Sequence, residues 1–167
     1  KFQIELNDIL KNMSKLKIAE TRYEKIKLKN NKYLIKHLTK GQNPLACSNV
    51  FDFVRNYEGK KNVILMLDDK SDNEEGVEVI LWHYDADYEF LNHDSIERII
   101  IIGPRSKDIY VRSLLAGIDN SKLFVFENQK DAHNYITTEG IDTLFLLNDM
   151  YIEKEASQLK EYIIETF

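Results

Sequence analysis

A single cysteine, Cys47, stands among the 167 residues of this chain, which excludes an internal disulfide and a cysteine-based zinc site. With thiol use this sparse, a reducing, cytoplasmic home is the simplest expectation. Proline occurs twice and glycine six times, too few for a linker-rich or low-complexity chain. Lysine and arginine are outnumbered, 23 against 28 acidic residues, and a net charge of -5 argues against a nucleic-acid partner, which asks for a basic stripe. No apolar run approaches the ~20 residues of a membrane span, so no membrane insertion is expected. The amphipathic, charged start carries no signal-peptide pattern. A Gly-x-x-x-x-Gly-Lys-Ser/Thr phosphate loop is missing too, so the chain has no means of splitting ATP by that route. The absent initiator methionine leads us to expect a piece of a longer protein.

What is present is an ordinary globular composition, 43% hydrophobic and 31% charged, with length enough for one domain and a proper core. Residues 2–17 put Phe2, Leu6, Ile9, Met13 and Leu16 on one face, which predicts a packing helix, with a short coiled-coil seam as the alternative. Residues 22–28 and 32–38 read as a hairpin around Lys29-Asn30-Asn31, since asparagine tolerates positive φ. Asn43-Pro44 reads as an N-cap followed by proline at the first helical position. The helix beyond it carries Cys47, Val50, Phe51 and Val54 on one stripe, so Cys47 is expected to be buried and structural although a helix start favours thiolate.

From residue 62 the pattern alternates. Apolar runs at Val63–Leu67, Ile99–Ile102, Leu123–Phe126 and Leu144–Leu147 read as strands buried on both faces. Helices are expected over 106–116, ended by Gly117, over 129–138, and near the end on Ile152, Ala156, Leu159 and Ile163. Such repeats predict an α/β fold, a Rossmann-like three-layer sandwich with a mainly parallel sheet and an N-terminal β-hairpin. Residues 69–96 break the rhythm, with no predicted helix where a crossover helix belongs; long irregular segments in compact domains tend to be functional.

Two stretches carry candidate chemistry. Trp82-His83-Tyr84-Asp85-Ala86-Asp87-Tyr88-Glu89 gathers acids and aromatic rings, and Gly103-Pro104-Arg105-Ser106-Lys107-Asp108-Ile109-Tyr110-Val111-Arg112 opens a helix straight after a strand. Ligands and partners of open α/β sheets are met at the carboxyl ends of strands, and both stretches are read as falling there. Asp85, Asp87 and Glu89 alternate, so in an extended segment they share one side and call for a cation, either Arg105, Arg112 or a group on another protein. Gly103–Ser106 at a helix start is a place where an anion could sit. Asp68-Asp69 at a strand end suits a cation, a phosphoryl group or merely water. A receiver-type phosphoacceptor is disfavoured because Glu127-Asn128 and Asn148-Asp149 stand where an aspartate and a lysine would be needed. His37, His83, His93 and His133 show no metal-ligand spacing.

Several segments resemble the C-terminal domain of the MurT family, the Mur-ligase-like subunits of MurT–GatD lipid II isoglutaminyl synthases. Thr21-Arg22-Tyr23-Glu24 resembles the family's Gly-Arg-Met-Glu, and Gln42-Asn43-Pro44 its Lys-Asn-Pro. Trp82-x-Tyr84-Asp85-Ala86-Asp87-Tyr88-Glu89 is similar to Trp-x-Trp-Asp-x-Asp-Phe-Glu. Gly103-x-Arg105-x-x-Asp108-Ile109-x-x-Arg112 and Ala116-Gly117 are similar to the segments that follow. The resemblance implies an N-terminal helix or linker over 1–20 and a Mur ligase-like domain over 21–167. It further implies a GatD-like glutaminase partner to whose Cys-His-Asp triad this domain lends the aspartate, Asp85 first and Asp87 second. Trp82, Tyr84, Glu89, Arg105, Asp108 and Arg112 would be partner- or anion-binding. The ammonia released would amidate D-glutamate in the lipid II stem peptide for peptidoglycan synthesis. No cofactor is expected in this domain, ATP and magnesium being implied for the ligase's central domain. The alternatives are a non-catalytic interaction module of the same fold and the amino-acid-holding domain of another Mur or folylpolyglutamate-type ligase.

Overall fold

Asn30 and Asn31 adopt φ of 57° and 59°, turning strand β1 (Tyr23–Lys27) back antiparallel onto β2 (Tyr33–Leu38). This is the hairpin expected from the sequence. In the computed structural model, which describes residues 5–16, 22–39, 43–68 and 80–167, the hairpin borders a six-stranded sheet. Its other strands are β3 (Lys61–Met66), β4 (Ile96–Ile102), β5 (Leu123–Phe126) and β6 (Thr143–Asn148), in the order β1-β2-β6-β3-β4-β5. All pairings beyond the hairpin are parallel. The chain steps outward from β3 through β4 to β5, then returns to place β6 between β2 and β3. The topological switch, where such sheets open a crevice, therefore lies between β3 and β6.

The helices are α1 (Leu6–Met13), α2 (Pro44–Asn56), α3 (Leu81–Asp85), α4 (Ser106–Leu115), α5 (Gln129–Ala132) and α6 (Glu153–Thr166). Helices α2, α3 and α4 pack one face of the sheet, around Phe51, Val54, Trp82 and Ile109. Helices α5 and α6 cover the other, around Ala132, Ala156, Leu159 and Ile163. The fold is a three-layer, Rossmann-like α/β sandwich. Every residue of β3 and β6 is buried, as unbroken apolar strands between two helical layers must be. Each such Leu or Ile contributes roughly 1.5–3 kcal/mol by leaving water.

Helix α2 begins as its sequence demands: the Asn43 side chain accepts the Ala46 N–H at 3.0 Å, and Pro44 follows the cap. Its end is tied to the sheet by Lys61, a buried ammonium that donates to the carbonyls of Val54 (3.2 Å) and Tyr57. Cys47 is fully buried on this helix, and burial, followed by the charge of Asp149, pushes its thiol far above the ordinary range. It is structural and no nucleophile.

Three expectations need correction. The apolar stripe of α1 is not buried against the described residues: Leu6, Ile9, Met13 and Leu16 are all exposed, so this is not a packing helix there. The helix expected over 129–138 stops after Ala132 and tightens into a 3-10 turn at His133–Tyr135, where His133 stacks on Tyr162 of α6 at 3.7 Å. The 69–96 segment does contain a helix, α3, and a 3-10 turn at Tyr88–Leu91. Phe2, residues 17–21, Gln42 and Asp69 with the stretch to Val79 lie outside the described residues. Among the described residues no helix is long and apolar enough to cross a membrane.

Candidate functional site

Helix α3 has five residues and no side-chain N-cap, too short to hold itself together, so tertiary contacts must hold it. Trp82 and Ala86 enter the core, and Tyr88 and Leu91 follow from the next turn. The Tyr88 ring meets Phe51 of α2 edge-on at 4.9 Å, and Trp82 stacks on His83 at 3.7 Å. Buried His83 Nδ1 lies 2.7 Å from the Tyr88 hydroxyl. Burial pushes that phenol well above its ordinary value, so it stays a neutral hydroxyl.

One side chain closes this segment from α4. The Arg112 guanidinium, 6% exposed as a residue, donates to the carbonyls of His83 (3.1 Å) and Ala86 (2.8 Å). It also forms a bidentate pair with Glu89 at 3.0 and 2.9 Å and lies 5.2 Å from the Tyr88 ring centre. The Glu89 carboxyl is held below its ordinary range, first by those hydrogen bonds, with burial opposing. From the opposite flank, α2 offers the Ser48 hydroxyl, which accepts the Asp87 N–H at 2.9 Å and donates to the Pro44 carbonyl at 2.8 Å.

The three acids therefore do not share one side of an extended strand. Asp85 closes α3, Asp87 precedes the 3-10 turn and Glu89 sits inside it. Between Arg105 and Arg112, the cation that meets them is Arg112, and it takes Glu89 alone. Asp85 and Asp87 are exposed, and among the described residues their carboxylates form no hydrogen bond or ion pair. Of the aromatic residues, Trp82 and Tyr88 belong to the core, while Tyr84 is 45% exposed beside Asp85.

Arg105 and Asp108 form a separate group at the start of α4, paired at 3.1 Å. At Gly103–Ser106, where an anion was expected, the chain's own Asp68 carboxylate approaches the backbone. The Arg105 N–H donates to Asp68 Oδ1 at 3.1 Å, and a Cβ on Gly103, where φ is +130°, would stand 1.8 Å from Asp68 Oδ2. A crevice of about 470 Å³ opens alongside, lined by Asp68, Gly103, Glu127, Gln129, Tyr151 and Glu155 among others. The candidate residues thus divide: the α4 start lies at the carboxyl ends of β3 and β4, whereas the acidic-aromatic segment packs on the sheet's face. Among the described residues no group of His, Cys, Asp and Glu could hold a metal ion.

A family model described as MurT ligase C-terminal matches residues 38–152, more than half of the chain. The chain belongs to the MurT ligase C-terminal family. In this MurT-type domain the match runs from the last residue of β2 to the residue before α6 and takes in both groups of candidate residues. None of the curated proteins compared with the chain matches it. Ser48 was missed in sequence. Its place one turn after Pro44 signals only a hydroxyl bonding back to its own helix, and nothing local points to Asp87.

Proposed function

We propose that this domain docks a GatD-like glutaminase and supplies Asp85 as the carboxylate of a Cys-His-Asp triad whose other two members lie on that partner. The observation that carries the reading is the pair of free, exposed carboxylates, Asp85 and Asp87, on a turn whose backbone is bonded from both flanks. A triad carboxylate must be rigidly placed yet keep its lone pairs for an imidazole N–H. Asp85 meets both demands, and Tyr84 beside it offers an exposed ring for the partner's surface.

In this reading the partner's cysteine thiolate attacks the γ-carboxamide carbon of glutamine, and the histidine protonates the departing nitrogen to release ammonia. Water then hydrolyses the thioester to glutamate. Asp85 accepts the N–H of the ring nitrogen turned away from the thiol, which fixes the tautomer and stabilises the imidazolium. The ammonia amidates the D-glutamate α-carboxyl of lipid II, activated by ATP with magnesium. This chain carries no Gly-x-x-x-x-Gly-Lys-Ser/Thr phosphate loop, which supports leaving ATP to the ligase's central domain. Such a reaction belongs in the cytoplasm, where ATP and reduced thiols are available.

The test is reconstitution with a GatD-type glutaminase. The expected result is a stoichiometric complex that hydrolyses glutamine far faster than the glutaminase alone. A complex that forms without stimulation would instead mark a non-catalytic interaction module.

A further inference from the structure

The turn from His83 to Glu89 is fastened more heavily than its size requires. One buried guanidinium spends four hydrogen bonds on it, to two backbone carbonyls and both Glu89 oxygens. Ser48, 4% exposed, receives the Asp87 N–H from a different helix and is itself oriented by the Pro44 carbonyl. The Arg112 bond to Ala86 and the Ser48 bond to Asp87 fall on consecutive residues immediately after Asp85. Backbone freedom at Asp85 is thereby removed from its C-terminal side, while Arg112 on the His83 carbonyl restrains its N-terminal side.

We propose that Ser48 and Arg112 are positioning residues that hold the Asp85 carboxylate at a fixed place and direction for the partner's imidazole. The inference rests on the reading of Asp85 given above. Neither residue touches glutamine; both act through the backbone of the turn. Arg112 does so by a planar fork that lysine cannot reproduce, since an ammonium cannot bond two carbonyls and a carboxylate in one plane. Ser48 does so by a hydroxyl that must accept and donate at once, which alanine cannot do and threonine can.

The experiment uses the full-length ligase subunit in complex with its glutaminase, comparing Ser48→Ala, Ser48→Thr, Arg112→Lys and Asp85→Asn. Ser48→Ala and Arg112→Lys are expected to lower kcat for glutamine hydrolysis about 10- to 100-fold, the cost of a misplaced catalytic group. KM for glutamine and the affinity of the two subunits should hold, the urea midpoint should fall only as far as the lost hydrogen bonds require and leave the complex folded in the assay, and Ser48→Thr should recover most of the rate. Amide exchange at Asp87 should quicken in Ser48→Ala. If both variants keep the wild-type kcat while Asp85→Asn loses it, the positioning role falls and the Asp85 reading stands. If Asp85→Asn keeps its rate, the underlying reading falls and this inference with it. A kcat loss accounted for by weaker subunit affinity or by a smaller folded fraction in the assay would make the two residues merely structural and overturn the proposal.

Discussion

Asp68 ends the run after β3 and is 2% exposed, with the Arg105 N–H bonded to it, whereas Asp85 ends α3, is exposed, and its carboxylate has no hydrogen bond or ion pair among the described residues. Both carboxylates lie on the same crossover between β3 and β4. The first accepts a backbone N–H at the start of α4 and so ties that helix to the sheet. The second is left in water, where an unpaired charge costs little, on a backbone that cannot drift. In the proposed complex the partner excludes that water, and the same charge then acts on the facing imidazole with several-fold greater strength. An acid used for folding and the acid proposed to serve another chain thus differ in their bonds, not in their residue type.

Substitutions can break or sharpen this contrast. The largest loss of stability is expected from Trp82→Ala, which empties a core position: about 3–5 kcal/mol by urea unfolding. Next is Gly103→Ala, which places a methyl on the Asp68 carboxylate at a positive φ and should cost about 2–3 kcal/mol. Tyr84→Ala, one residue position from Asp85 but exposed, should change stability by less than about 0.5 kcal/mol. Its effect should appear instead as weaker binding in a titration with the glutaminase.

The smallest effect concerns Glu89. Its carboxyl is depressed below the ordinary 4.5 by Arg112, so the pair stabilises the fold above that value and loses its contribution as pH falls through the lower, folded-state value. With Glu89 54% exposed, solvent screening keeps this below about 1 kcal/mol. Thermal unfolding of wild type and Glu89→Gln should differ slightly at neutral pH and converge in acid.

Local chemistry made much of the fold legible. Two asparagines announced a turn needing positive φ, Asn43-Pro44 announced a helix start, and the aliphatic runs announced strands covered on both sides. Helix α3 was not legible because its five residues are too few to show a helical period and only Leu81 is a strong helix former; its existence depends on Trp82 and Tyr88 finding α2 and the sheet. The amphipathic period of α1 was legible but not what, if anything, it covers. At the site, the sequence picked out the acids and two candidate arginines. It could not choose between them, since the choice follows from Arg105 being engaged with Asp108 while Arg112 faces the turn.

The decisive measurement is the rate of glutamine hydrolysis by the complex carrying Asp85→Asn, with subunit affinity measured alongside. An unchanged affinity with kcat reduced about 10³- to 10⁴-fold is expected, because asparagine cannot stabilise the imidazolium as a carboxylate does. Wild-type turnover by that complex would contradict a triad shared between two chains.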